Sequence, residues 1–186
     1  MKKWVLLLAV MMLSACSSGI QPSIDRNDEP VQIAIKSFDE RDDFTLLLYS
    51  EKVQYKLGEK VKVHAEITYT GEREEITIGH AELPIMLETT NLTQGYHFGA
   101  AMNEPYISTI LKRNEPKIID YHFSGGSYNE SRTGKKYNNE EVIQMASMQF
   151  PVGQYQITGT TNFVIDGQDF SNAIKLKGNI TFEVEK

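Results

Sequence analysis

Residues 60–70 carry apolar side chains at every second position. Val61, Val63, Ala65, Ile67 and Tyr69 alternate with Lys60, Lys62, His64, Glu66, Thr68 and Thr70. A period of two puts one set on each side of an extended strand, whereas on a helix it would scatter apolar groups around the whole circumference. The segment is therefore predicted to be a strand with one dry face and one wet face. Residues 174–185 repeat the pattern, with Ile174, Leu176, Gly178, Ile180, Phe182 and Val184 set against Lys175, Lys177, Asn179, Thr181, Glu183 and Glu185. Shorter strand patterns fall at 31–36, 44–50, 75–79, 84–89, 106–112, 116–124 and 154–165. Asp166-Gly167 reads as the turn that returns the chain toward the last strand. Eight or nine strands at this spacing imply an all-β sandwich or barrel.

Two segments break the period. Residues 125–138 are punctuated by glycine and serine and lack an apolar repeat, so they read as an exposed loop. A short helix is predicted next: Asn138 is placed to cap it, Glu140 and Glu141 suit its positive N-terminus, and Val142, Met145 and Ala146 share a face. Little helix is expected beyond this.

The N-terminus has a different logic. Lys2 and Lys3 precede the uninterrupted apolar run Trp4 to Leu13, which is the length of a signal-peptide core and too short to span a bilayer. Leu13-Ser14-Ala15-Cys16 closes it and resembles the bacterial lipobox, in which the cysteine thiol receives a diacylglyceryl group and becomes the first residue of the mature chain. Two acyl chains at such a site anchor stably where one does not. Residues 1–15 are thus expected to be a signal peptide, 16–30 a lipidated flexible tether of polar residues with Pro22 and Pro30, and 31–186 one folded domain. The expected location is the cell membrane, outside the cytoplasm. Cys16 is the only cysteine, so the domain has no internal disulfide and must be held by its core. Loss of Lys2 and Lys3 leaves 17 of 19 basic side chains against 25 acidic ones, a formal charge of −8. An acidic body argues against nucleic acid as a partner.

Two motifs bear on architecture. Tyr55-Lys56-Leu57-Gly58-Glu59-Lys60-Val61-Lys62-Val63 is a turn feeding a strand, and Pro151-Val152-Gly153-Gln154-Tyr155-Gln156-Ile157 opens a late strand. Together they resemble the second and penultimate strands of bacterial immunoglobulin-like domains, including those similar to the intracellular proteinase inhibitor of Bacillus. The resemblance implies an immunoglobulin-like antiparallel β-sandwich, with Tyr155 as a tyrosine corner whose ring enters the core and whose hydroxyl bonds upstream backbone. It also implies an alternative function, inhibition of a protease at the cell surface. The intervening residues 71–149 match no pattern of that family, so the likeness carries fold rather than function.

Candidate sites are few. His64 sits on the wet face of its strand and reads as a solvated residue. His80 and Glu82 lie on one side, as a possible two-ligand start for zinc, if a strand continues past Gly79; otherwise they belong to a loop. Tyr96-His97-Phe98 and Tyr121-His122-Phe123 echo one another, each burying its aromatics and exposing its histidine. Paired as neighbours, they would bring His97, His122 and Asp120 together as a weak metal site; the simpler reading is two aromatic strands. No nucleophile elbow, phosphate loop or dinucleotide fingerprint is present. The expectation is a non-catalytic binding or accessory module, without a cofactor, held to the membrane by its lipid and with an envelope protein as candidate partner. Its expected contact surface is the loop at 125–139, carrying Tyr128, Arg132, Lys135, Lys136 and Tyr137.

Overall fold

The computed structural model describes residues 33–100, 103, 105–125 and 138–186. Ten strands and one helix follow in order: β1 (Ile35–Arg41), β2 (Phe44–Ser50), β3 (Gln54–Lys56), β4 (Val63–Tyr69), β5 (Glu75–Asn91), β6 (Tyr96–Phe98), β7 (Ile107–Lys112), β8 (Lys117–Asp120), α1 (Asn139–Ala146), β9 (Gly153–Ile165) and β10 (Lys177–Glu185). They form two sheets, β1-β2-β4-β8 and β3-β10-β9-β5-β6, with β7 added to β5. The fold is an all-β sandwich of immunoglobulin-like order, in which an early strand leaves the first sheet and re-emerges as β3 beside the last strand of the second. That hand-over makes the second sheet mixed rather than purely antiparallel, because β3 pairs parallel with β10.

The inward sets predicted from the period of two do line the core. Val63, Ala65, Ile67 and Tyr69 from β4 and Ile180, Phe182 and Val184 from β10 are all buried in one core cluster. One end of the core is aromatic: Tyr155 stacks on Phe182 with centroids 5.5 Å apart, and Phe150 meets both rings edge-on at 5.0 and 5.6 Å. Such pairs add about 0.5–1.5 kcal/mol each beyond the area they bury. Tyr155 donates its hydroxyl to the Pro151 carbonyl at 2.9 Å, with its ring fully buried. Tyr55 does the matching work at the other motif, donating to Lys62 O at 3.0 Å and accepting from Lys62 N at 3.2 Å. Between them Gly58, at φ 84°, lets Glu59 N return to Lys56 O at 2.9 Å, closing the turn.

Several boundaries differ from expectation, each for a local reason. The first strand runs later, at Ile35–Arg41, because it is the outer arm of a hairpin whose two-residue turn, Asp42-Asp43, takes φ 50° and 64°. The segments at 75–79 and 84–89 are one 17-residue strand, β5. Its register against β9 shifts between His80 and Ile85, so β5 advances five residues while β9 advances two, and Pro84, which has no N–H to give the ladder, lies in that irregularity. At the C-terminus Ile174 bridges Phe163, but pairing lapses until Lys177 because the buried Thr161 hydroxyl accepts the Leu176 N–H at 2.7 Å. The helix forms as expected, with Asn138 accepting from Glu140 N at 3.0 Å and Met145 buried, although Ala146 stays exposed.

Candidate functional site

The echoed aromatic segments meet, but not through their histidines. Tyr96-His97-Phe98 is β6, in the second sheet, whereas Tyr121-His122-Phe123 follows β8 in the first. Phe98 and Phe123 touch edge-on across the core at 5.1 Å, which leaves His97 and His122 on opposite outer sides of the sandwich. His97 Nδ1 lies 3.0 Å from Thr90 Oγ1, and His122 is exposed. The weak metal site of His97, His122 and Asp120 is therefore not assembled. Among the described residues no group of three His, Cys, Asp or Glu side chains is placed to hold a metal ion.

Asp120 instead completes a different group. The register places Lys36, Tyr49, His64 and Asp120 in one row across β1, β2, β4 and β8, on the outer face of the first sheet. Asp120 Oδ1 is 2.7 Å from His64 Nδ1. A carboxylate only accepts, so Nδ1 carries the proton. His64 Nε2 faces Glu51 Oε1 at 3.6 Å, and Lys62 Nζ holds the other Glu51 oxygen at 3.0 Å. The Tyr49 ring covers the imidazole with centroids 5.1 Å apart. His64 is thus buried, with 8% of its surface accessible, rather than solvated as the alternation predicts. Its far nitrogen makes no hydrogen bond, lying 3.6 Å from a second carboxylate and not against a hydroxyl, so the arrangement activates no nucleophile.

His80 is also buried. Burial pushes its pKa below the ordinary value, against the opposing pull of its bond to the backbone carbonyl of Ala81. Nδ1 donates to that carbonyl at 2.7 Å, leaving Nε2 to accept from the Thr109 hydroxyl at 2.8 Å. The strand does continue past Gly79, so the loop reading of this segment fails. Glu82, however, turns to Asn103, whose N–H it accepts at 3.0 Å. The two residues share no ligand position.

An open apolar surface lies along β7 and the turn after β9. Tyr106 and Ile110 are 56% and 58% exposed. Tyr106 donates its hydroxyl to Asp166 at 2.7 Å, and its ring meets Phe170 edge-on at 6.3 Å. Asp169 fixes Phe170 in place by accepting from Ser171 N at 2.7 Å, a bond that also lowers the Asp169 pKa. Sequence reasoning passed over these residues. The signal was the adjacent apolar pairs Tyr106-Ile107 and Ile110-Leu111, since neighbours in a strand cannot both point inward. Cys16 and the loop residues Tyr128, Arg132, Lys135, Lys136 and Tyr137 lie outside the described residues. No helix of the described residues is long and apolar enough to cross a membrane. No protein-family model matches the chain, and no curated protein sequence matches it.

Proposed function

We propose that this chain is a lipid-anchored protein of the bacterial cell envelope whose sandwich is a non-catalytic binding module. The observation that carries the reading is the run Leu13-Ser14-Ala15-Cys16 directly behind a ten-residue apolar stretch and two lysines. A thiol there accepts the diacylglyceryl group, and the polar segment 17–30 separates the anchor from the domain. The surface of Tyr106, Ile110 and Phe170 supports the binding half of the reading, because aromatic side chains fixed by hydrogen bonds lose little entropy on contact. The test is Cys16→Ala. The variant is expected to leave the membrane fraction while keeping the wild-type melting temperature, since the only acylation point is lost and the core is untouched. Equal recovery of both proteins in membranes, with the signal peptide shown to be removed, refutes the anchor.

A further inference from the structure

We propose that two copies of this chain join through β7, pairing antiparallel about Ile110 into one continuous sheet. The backbone groups of β7 point alternately to its two sides. Its ladder with β5 extends to Arg113, whose N–H donates to Glu74 O at 2.8 Å, so 107, 109, 111 and 113 turn their N–H and C=O groups toward β5. Ser108, Ile110 and Lys112 must turn theirs the other way. Asn114, the next even position, confirms the direction by donating to Tyr69 O at 2.8 Å on that side. The bridge from Tyr69 to Arg113 and the turn bond from Glu115 N to Lys112 O close the C-terminal end of this edge, and among the described residues no strand pairs with it from 108 to 111.

Sheet edges are normally blunted by a bulge, a proline or a lysine in mid-strand. The middle of β7, Ser108-Thr109-Ile110-Leu111, has none of these, and its most exposed apolar residue sits at its centre. A second copy fits for three reasons. Antiparallel pairing about a two-fold axis sets Ile110 against its counterpart and Ser108 against Lys112, so the outward groups of Ser108 and Ile110 and the N–H of Lys112 find complements, while Lys112 O is shared with the turn bond from Glu115 N at 3.2 Å. The same operation covers Ile110 with Ile110. It also brings Lys112 of each copy toward the corner where Tyr106 of the other holds Asp166, cation to carboxylate. β7 itself contains no acidic residue, so this seam escapes the repulsion that a chain of net charge −6 meets elsewhere.

The experiment uses the full chain in detergent, both unaltered and with Cys16→Ala so that a shared micelle does not count as association. Sedimentation is expected to show a dimer in each at about 100 µM, dissociating on dilution. In the Cys16→Ala background, Ile110→Lys places like charges face to face and is expected to weaken association at least tenfold. Ser108→Pro removes an N–H that serves the partner and not β5, and is expected to do the same with an unchanged melting temperature. Ile110→Cys is expected to form a disulfide-linked dimer, because directly paired Cα atoms lie about 5.5 Å apart. Ile143→Cys, equally exposed on α1, is not. A monomer at that concentration overturns the proposal, as does an unchanged mass in both edge variants or equal cross-linking through position 143. A monomer that captures an added strand-forming peptide also overturns it, and assigns the edge to a different chain.

Discussion

Two tyrosine hydroxyls hold the aromatic end of this sandwich by local bonds, of which the sequence makes that of Tyr155 legible. Tyr155 reaches Pro151 O, four residues upstream, and Tyr55 closes on both backbone groups of Lys62 while lying 2.8 Å from Ser50 Oγ. Each ring is buried, so each residue combines a large apolar contribution with one polar end that must be satisfied. Removing only the Tyr155 hydroxyl, as Tyr155→Phe, is expected to lower stability by about 1 kcal/mol. Tyr155→Ala also vacates the space stacked on Phe182 and packed against Phe150, and is expected to cost about 3 kcal/mol or more. Denaturant midpoints for the pair decide this; equal values for the two variants would mean that the ring contributes nothing to the core. His64 and Glu66 show where residue-level reading stops. Alternation assigns them correctly to the outer face of β4, but not the fact that this face is itself covered, because coverage depends on which strands become neighbours.

At the scale of elements, strands with clean alternation were legible and those shaped by partners were not. The second strand was predicted with its observed bounds, Phe44–Ser50, and the long late strand to within one residue of Gly153–Ile165. β3 was missed because three residues, of which only Tyr55 is buried, carry no period. The hairpin of β1 and β2 was missed because Asp42-Asp43 lacks the glycine that usually announces such a turn. The sheets' approach depends on a position the pattern did mark, Gly178. A β-carbon there would lie 3.3 Å from Leu48 Cβ and 3.3 Å from Ser37 Oγ, and the same short gap lets Ser37 Oγ accept from Asn179 N at 3.2 Å and Asp39 from Lys177 N at 2.8 Å. Side chains of β1 thereby occupy the edge of β10 that β3 leaves open. Gly178→Val is expected to force the sheets apart and lower stability by about 1–3 kcal/mol. Lys177→Val, on the outer face, should stay within about 0.5 kcal/mol, and thermal melts of the two distinguish a packing constraint from a loss of strand propensity.

Across the whole molecule, cohesion without a disulfide rests on a core that contains ionisable groups kept neutral, and this sets limits in pH. Tyr121 lies between the sheets with its hydroxyl bonded to Thr89, and burial raises its pKa well above the ordinary 10.0, a rise the Thr89 bond only partly opposes. His80 is held neutral by burial, below its ordinary 6.5. The two act at opposite ends. An unfolded chain protonates His80 as pH falls through about 6.5 while the folded chain does not, so stability present above that pH is progressively lost below it, until the folded-state value is passed. In the alkaline range the unfolded chain ionises Tyr121 from about pH 10 upward while the folded chain resists, so stability present below that pH is lost above it. The carboxylates of Glu59 and Asp169 titrate lower than usual, through bonds to Lys52 and to Ser171 N respectively, and so matter only at more acid pH. Denaturant midpoints are therefore expected to be level between about pH 7 and 9.5 and to decline on both sides. His80→Gln should flatten the decline between pH 6.5 and 5 whatever it does to stability at pH 8, because an amide takes no proton, whereas Tyr121→Phe should flatten only the alkaline limb. A wild-type midpoint that holds or rises from pH 7 to 5 would show that His80 is free to charge within the folded sandwich, contrary to its burial against Thr109 and Ala81.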